Sequence, residues 1–357
     1  MNMPFSPKVT LIRLLDREDA DELARIEKFV ANHRHGTAFH RPAWVLAVSK
    51  ACNHEWRYIL AEDTEGQLQG ILPLSLIHSP LFGRALVSSG FAVGGGILSL
   101  NDQATEMLAD TAWNFAQKHS FPSVELRGGP IPAGNWQNKD GVYAGFASSL
   151  ADDEESQLLA IPRKQRAEVR KGLKNQLTVR TGSSEQDGTD HYAVYAESVR
   201  NLGTPVFPKK LFDAVLDGFG EHADILTVLE DGRPVASVLS LYHNETVMPY
   251  WGGGTHDARR LRANDIMYFA LMNHARKRGC RRFDFGRSKV GTGAYSFKKN
   301  WGFEPQSLSY AIRAINGEEV RDVNPMSPKY RLQVALWQKL PLPIANHLGP
   351  IIARGLG

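Results

Sequence analysis

The sequence predicts a mixed α/β protein built as a tandem duplication of one unit of strands and helices. Each half of the 357-residue chain contains a strand that ends in three glycines, at 94–96 and at 252–254, and a helix follows both triplets. The next strand begins at Val124 in the first half and at Phe283 in the second, 28 and 29 residues after the last glycine of the respective triplet. This shared order and spacing predict an internal repeat.

Residues 1–150 are predicted to form the first copy. A strand at 9–15 precedes a helix at 19–32, whose apolar side chains recur every three or four residues and whose first turn is acidic. The same periodicities, with turn residues between them, predict a helix at 44–51, strands at 56–62, 67–77 and 85–93, a helix at 104–118 and a strand at 123–129.

Residues 151–325 are predicted to form the second copy. Its elements are a strand at 177–181, helices at 191–201 and 209–219, a hairpin at 225–242, a strand ending at 252–254, a helix at 264–277 and a strand at 281–287. The hairpin turns at Asp231 and Gly232, a dipeptide typical of tight hairpins. The remaining tail, 326–357, mixes apolar residues with prolines, and it is predicted either to contact the inner membrane surface or to pack across the two domains.

The composition is that of an ordinary globular chain, with 42% hydrophobic and 22% charged residues. Cys52 and Cys280 lie far apart without CxxC spacing, which disfavours a disulfide framework or a zinc site and fits a reducing cytosol. The N-terminus has no apolar run of signal-peptide length, and prolines and glycines interrupt the nearly uncharged stretch at 70–100. The prediction is a cytoplasmic protein without a membrane-spanning helix or a bound metal.

Charge is distributed unevenly between the halves. Residues 1–154 carry 13 basic and 18 acidic side chains, a net charge of −5, whereas residues 155–357 carry 29 and 20, a net charge of +9. An anionic ligand would therefore be attracted to the second half, although solvated basic helix faces would give the same count. The loop after the second glycine triplet contains Arg259, Arg260 and Arg262, whereas the loop after the first contains no basic residue.

This arginine loop is predicted to bind phosphate. Asn264 is assigned as the N-cap of the following helix, whose unpaired N–H groups and positive dipole end favour an anion by about 0.3–1 kcal/mol. The arginines can add charge-assisted hydrogen bonds. The loop lacks the glycine spacing of a nucleotide-hydrolysing P-loop. Exposed loop charges without a ligand are the alternative.

Several motifs follow one another in the second half. They are RNLGTPVFPKKLF at 200–212, YWGGG at 250–254, RANDIMY at 262–268 and a run from RFDFGRSK to WGFEP at 282–305. These motifs resemble the FemAB group of the GNAT acyltransferase superfamily, and more narrowly the FemAB-like proteins associated with exosortase/PEP-CTERM systems. The resemblance implies two GNAT-like acyl-CoA N-acyltransferase folds in tandem, a donor-binding second copy and a degenerate first copy that serves as scaffold or acceptor wall.

The resemblance also implies an N-acyltransferase that forms an amide on a cell-envelope, exopolysaccharide or peptidoglycan-type precursor. The acceptor would be anionic and could be lipid-linked, and the donor would be acyl-CoA or aminoacyl-tRNA used as a co-substrate. No tightly bound cofactor and no DNA partner are expected. Two alternatives stay open: an acyl-CoA-dependent acetyltransferase of a soluble small amine, and a non-catalytic assembly factor of a polysaccharide export system.

Three residues are candidates for the chemistry. An amine of pKa ~10.4 is only about 0.04% deprotonated at pH 7, so amide formation needs a base. Asp284 is the candidate base, because strand alternation turns it away from the two flanking phenylalanines; an ion pair with Arg287 is the structural alternative. Tyr250 is a candidate proton donor, and Lys298 can stabilise the developing oxyanion.

Candidate substrate-binding residues surround these three in the sequence. They are Trp251, Arg287, Ser288, Lys289, Tyr295 and Lys299. Arg163, Arg166 and Arg170 are three and four residues apart and hence on one face of a predicted helix. That face would suit a phosphorylated acceptor or tRNA, and a solvated helix surface is the alternative.

Overall fold

The computed structural model describes residues 8–315 and 328–357, which form two compact units. Within these ranges, unit 1 comprises residues 8–140, 308–315 and 354–357. Unit 2 comprises residues 141–307 and 328–353. Unit 1 is therefore completed by two segments from the C-terminal part of the sequence.

The helices and strands follow the predicted order closely. The first half forms β1 (Leu11–Leu15), α1 (Ala20–Asn32), α2 (Pro42–Cys52), β2 (Glu55–Glu62), β3 (Leu68–Ser79), β4 (Gly83–Ser88), β5 (Leu98–Ser99), α3 (Asp102–Lys118) and β6 (Ser123–Arg127). The following residues form β7 (Gln137–Ser149), α4 (Glu154–Ala160), α5 (Arg163–Gly172), β8 (Leu177–Gly182), α6 (Glu185–Asn201) and α7 (Lys209–Phe219). The chain continues with β9 (Ala223–Glu230), β10 (Arg233–His243), β11 (Thr246–Gly254), α8 (Ala258–Leu261), α9 (Ala263–Lys277), β12 (Arg282–Lys289), α10 (Gly293–Asn300), β13 (Pro305–Ala314), α11 (Pro328–Gln338) and α12 (Leu342–Ala353).

The strands of the two units repeat one pattern of pairing. The strand order is β1-β2-β3-β4-β6-β13 in unit 1 and β7-β12-β11-β10-β9-β8 in unit 2. In each unit a parallel pair, β4 with β6 or β11 with β12, is joined through only two residue pairs. Antiparallel strands then follow on both sides. The predicted duplication of one α/β unit is therefore confirmed.

The last strand of each unit comes from an unexpected part of the chain. β7 follows β6 in sequence but pairs with β12, whereas β13 follows β12 but pairs with β6. In unit 1, Tyr310 of β13 lies opposite Arg127, and its hydroxyl donates to the carbonyl of Val93 at 2.9 Å. The sequence analysis predicted neither strand, and local periodicity carries no information about their partners.

One long helix packs on the strands of each unit. In unit 1, α3 buries Leu108, Ala109 and Ala112 completely, and the side chain of Asn101 caps it by accepting the N–H of Ala104 at 2.9 Å. In unit 2, α9 buries Met267 and Leu271 against β9, β10 and β11. Removal of this apolar surface from water stabilises each unit separately.

The glycine triplets mark places where the backbone passes very close to another segment. A Cβ atom at Gly96 would lie 2.0 Å from the carbonyl oxygen of Gly128. A Cβ atom at Gly254 would lie 2.5 Å from Cβ of Ala258 and 2.6 Å from Oδ1 of Asn264. Side chains are excluded at both positions. The second triplet ends β11 as predicted, but the predicted strand ending at 94–96 is wrong, because β4 ends at Ser88 and the first triplet lies in the loop before β5.

The C-terminal segment is helical. α11 and α12 belong to unit 2 up to Ala353, and Pro350 lies inside α12. Within residues 8–315 and 328–357, no helix combines the length and the apolar character needed to cross a membrane.

Candidate active site

The candidate site lies where β11 and β12 separate. The two strands are hydrogen-bonded only at Thr246 with Arg282 and at Val247 with Phe283. Beyond these pairs, β11 continues along β10 as far as Gly254, while β12 continues along β7. Beyond Val247 and Phe283, β11 and β12 therefore no longer pair with each other.

β12 changes direction just after the separation. Its register with β7 shifts between Asp284 and Arg287, and Gly286 adopts a positive φ of 69°. Such a bulge changes the direction in which the neighbouring side chains point. Phe283 and Phe285 are buried on the core side of the strand, and Asp284 points to the other side, as the alternation predicted.

Asp284 is half-buried and turned back onto its own strand. Its Oδ1 accepts the N–H of Gly286 at 2.8 Å. Burial raises the pKa of Asp284, while the Gly286 hydrogen bond and the charges of Arg282 and Lys298 partly oppose the rise. A carboxylate with a raised pKa in such a position is a candidate for proton transfer.

Lys298 of α10 completes a pair of perturbed groups with Asp284. Its Nζ donates to the carbonyl of Arg287 at 2.9 Å and lies 5.6 Å from the ring centre of Phe146. Burial lowers the pKa of Lys298 to about 8, although attraction to Asp284 acts in the opposite direction. The structure thus brings together two of the three predicted catalytic residues, with pKa values displaced toward neutrality from both sides.

Tyr250 and Trp251 lie on β11 next to a bulge opposite Leu239 and Ser240. The ring centre of Trp251 lies 4.7 Å from that of Phe212, and its side chain is 4% exposed. Trp251 is therefore a core residue of unit 2, and its contact with substrate stays a prediction. Tyr250 is half-buried with its ring centre 5.0 Å from that of Trp251, and its role as proton donor stays a prediction.

The three arginines of the loop differ in their surroundings. The guanidinium of Arg260 lies 3.2 Å from Oε1 of Glu230, and that of Arg262 lies 2.8 Å from Oε2 of Glu168. Arg259 is exposed and makes no ion pair with any residue that the structure describes. Arg259 is therefore the arginine that an incoming phosphate can reach without displacing a carboxylate.

Asn264 does not cap α9. The helix begins at Ala263, because α8 occupies most of the loop. Arg262, in a left-handed conformation with φ of 58°, is the single residue that links α8 to α9. Asn264 instead lies in the first turn, beside Gly254. Its Oδ1 is buried and has no hydrogen-bond partner among the described residues. A ligand group that donates a hydrogen bond at this turn would satisfy Oδ1 of Asn264.

The predicted substrate-binding residues near Lys298 differ in burial and in the residues that they contact. Ser288 is buried, and its Oγ has no hydrogen-bond partner within the described ranges. The guanidinium of Arg287 lies 4.6 Å from the ring centre of Tyr143. Tyr295 is half-buried with its ring 5.3 Å from that of Phe146. Lys289 is half-buried and Lys299 is exposed.

α5 presents the second basic surface. Arg163 and Arg170 are exposed and Arg166 is half-buried, whereas Gln165 and Val169 are buried on another face of the helix. The helix packs beside the first turn of α9, where Nε2 of Gln165 donates to Asp265 at 2.5 Å. The cations of α5 and those of the arginine loop therefore lie on neighbouring elements of the same unit.

Tyr268 of α9 is a site residue that the sequence prediction did not include. Its ring centre lies 4.7 Å from that of Phe285 on β12, and a Cβ atom at Gly252 on β11 would lie 3.3 Å from its hydroxyl. The side chain therefore bridges the two separating strands. Burial raises the pKa of Tyr268 to about 12, so the hydroxyl keeps its proton at neutral pH. The sequence feature that could have identified Tyr268 is its position in the RANDIMY motif, four residues after Asn264.

Metal ligands are not gathered in this region. Among residues 8–315 and 328–357, no group of three or more His, Cys, Asp or Glu side chains could hold a metal ion.

The fold is a duplicated GNAT-like fold. Residues 163–299 match the family model described as an acetyltransferase (GNAT) domain, which spans the arginine loop, Asp284 and Lys298. A search of curated proteins found no match. The matched domain and the duplicated fold together support the acyltransferase class.

Solved structures of similar fold cover nearly the whole chain. FemX superposes with a TM-score of 0.64 at 14% identity, covering 83% of this chain and 96% of FemX. A tandem GNAT protein of the clavulanic acid biosynthesis pathway, solved without AcCoA, gives 0.53 at 12% identity, with 87% and 100% covered. L-PGS from Bacillus licheniformis gives 0.53 at 12% identity, with 90% and 98% covered. At these identities the likeness establishes the fold alone.

Proposed function

We propose that this protein is an N-acyltransferase that transfers an acyl or aminoacyl group to an amine of an anionic cell-envelope, exopolysaccharide or peptidoglycan-type precursor. The observation that carries the proposal is the pair of Asp284 and Lys298 beside the separation of β11 and β12. This pair lies within the region that matches the GNAT domain. The motifs that resemble FemAB-like proteins favour an envelope precursor as the acceptor.

In the proposed reaction, the acceptor amine attacks the carbonyl carbon of the donor. The new C–N bond forms as the bond from the carbonyl carbon to the donor's leaving atom breaks. Asp284 takes the proton that the amine loses, directly or through a water molecule, and Lys298 stabilises the negative charge on the carbonyl oxygen. Tyr268 or Tyr250 can supply a proton to the leaving atom.

The donor is proposed to be acyl-CoA or aminoacyl-tRNA, with its phosphates at the arginine loop. Arg259 supports this placement, because it is exposed and has no carboxylate partner among the described residues. The first turn of α9 adds backbone N–H groups for the phosphates. The buried Oδ1 of Asn264 in the same turn can accept a hydrogen bond from a hydroxyl or N–H group of the donor. Ser288, Lys289, Lys299 and the basic face of α5 are proposed to contact the anionic acceptor on the cytoplasmic side of the envelope.

A second candidate is an acyl-CoA-dependent acetyltransferase of a small soluble amine. The fold shared with the tandem GNAT protein of clavulanic acid biosynthesis favours it. The two candidates share the base, the oxyanion stabilisation and the phosphate site. They differ in the acceptor, and only the first candidate could use a tRNA donor.

The donor site is tested by ligand-dependent stability. Coenzyme A or charged tRNA at a hundredfold excess over its Kd should stabilise the protein by about 2.7 kcal/mol, measured as a rise in Tm. Arg259→Ala should weaken donor binding about 10- to 150-fold, because a hydrogen bond to a charged group contributes about 1.5–3 kcal/mol. Arg34→Ala is the matched control, since Arg34 is exposed in unit 1 and has the same charge.

The same stability measurement also distinguishes the two possible donors. Stabilisation by coenzyme A identifies an acyl-CoA donor, and stabilisation by charged tRNA alone, falling steeply with salt, identifies a tRNA donor. If neither compound shifts Tm, or if both variants lose binding equally, the proposed donor site is wrong. An absence of binding by either compound would favour the alternative of a non-catalytic assembly factor.

A further inference from the structure

The two C-terminal helices expose a set of large apolar side chains. On α12, Ile344, Leu348 and Ile351 are separated by four and three residues and form one stripe along the helix. On α11, Leu332 and Leu336 are four residues apart and are 69% and 58% exposed. Exposed apolar side chains that are clustered in this way differ from the single ones that occur on most surfaces.

The opposite sides of both helices are packed on the rest of unit 2. A Cβ atom at Gly203 would lie 2.4 Å from Cγ1 of Val334 on α11, and a Cβ atom at Gly349 on α12 would lie 2.9 Å from the backbone nitrogen of Val206. Both helices therefore dock on the short segment that follows α6. Their exposed stripes face away from it, and Leu202 of the same segment is itself 70% exposed.

The charged residues of this segment have one sign. The sequence from 328 to 353 contains no Asp or Glu, whereas Lys329, Arg331 and Lys339 are basic. Lys339 is exposed in the turn between the two helices. A segment that exposes apolar stripes and a cation and contributes no acidic side chain is complementary to an anionic lipid bilayer, in which apolar side chains enter the acyl boundary and cations contact headgroup phosphates.

We propose that the exposed face of α11 and α12 is a docking surface for an anionic membrane. α12 would lie in the plane of the surface with Ile344, Leu348 and Ile351 inserted, and Lys339 would contact lipid phosphate. The proposal concerns a face of unit 2 that contains none of the proposed catalytic residues. It stands whether or not the acyltransferase proposal is correct.

The test is co-sedimentation of the full-length protein with vesicles. Vesicles of phosphatidylglycerol and phosphatidylcholine in equal parts should bind the protein, and vesicles of phosphatidylcholine alone should bind it much more weakly. The double variant Leu348→Glu with Ile351→Glu should bind the anionic vesicles at least about tenfold more weakly, because two inserted apolar side chains become charged. The control pair Leu81→Glu with Leu100→Glu changes two exposed leucines of unit 1 and should bind like the wild type.

Three results would overturn the proposal. The first is equal binding of the protein to both kinds of vesicle or to neither. The second is equal loss of binding in the α12 variant and the control variant. The third is a wild-type dimer in light scattering that the α12 variant alone converts to a monomer, which would make a second copy the occupant. Circular dichroism and Tm should match the wild type in both variants, since all four positions are exposed.

Discussion

Asp284→Asn should lower the rate of acyl transfer by about two orders of magnitude or more, with donor binding unchanged. The substitution keeps the shape of the side chain and its hydrogen bond from Gly286 but removes the group that accepts the amine proton. Single-turnover kinetics with saturating donor measures the effect on chemistry separately from binding. The wild-type rate should also fall as the pH falls through the raised pKa of Asp284, because only the carboxylate can accept a proton.

Asp265→Asn provides the matched control for this experiment. Asp265 is also half-buried, and burial raises its pKa too, but its carboxylate accepts from Gln165 beside the first turn of α9. The control should retain turnover within a fewfold of the wild type. Near-normal turnover of Asp284→Asn, or an equal loss in both variants, would remove Asp284 from the role of base and leave it a structural residue.

Phe283→Ala should reduce the free energy of unfolding by about 3–5 kcal/mol, the range for removal of a large aromatic side chain from a core. Phe283 is fully buried, its ring centre lies 5.0 Å from that of Phe285, and its backbone forms the last hydrogen-bonded pair before β11 and β12 separate. Its neighbour Asp284 is therefore held by the packing of this ring. Denaturant unfolding followed by circular dichroism measures the change.

Phe297→Ala is the comparison for the stability experiment. Phe297 lies on α10, packs at 6.2 Å from the ring of Phe285 and is only half-buried. It should lose clearly less stability than Phe283→Ala. Equal losses would show that the strand pair is not anchored by Phe283.

The order of helices and strands and the duplication could be predicted because both depend on local signals. Apolar periodicity marks the predicted elements, although it missed β7, α8, α10 and β13, and the glycine triplets lie at close backbone approaches that admit no Cβ atom. The same local alternation placed Asp284 on the side of β12 opposite its phenylalanine neighbours. These features need no knowledge of what lies next to them in space.

The features that could not be predicted depend on partners distant in the sequence. Glu230 and Glu168 neutralise two of the three loop arginines, and neither lies near them in the chain. Trp251 is buried by aromatic residues of α7 and of the loop before it, which local alternation does not reveal. The short helix α8 takes up the loop and moves the start of α9 ahead of Asn264. Pairing of β7 with β12 and of β13 with β6 likewise follows from tertiary packing.

Amide hydrogen exchange with and without donor tests most directly whether the second copy is the one that binds it. Coenzyme A or charged tRNA should slow exchange at residues 255–270, which contain the arginine loop and the start of α9, and should leave the corresponding residues 97–112 of the first copy unchanged. Slowed exchange at 97–112, or no change at 255–270 under saturating donor, would contradict this assignment.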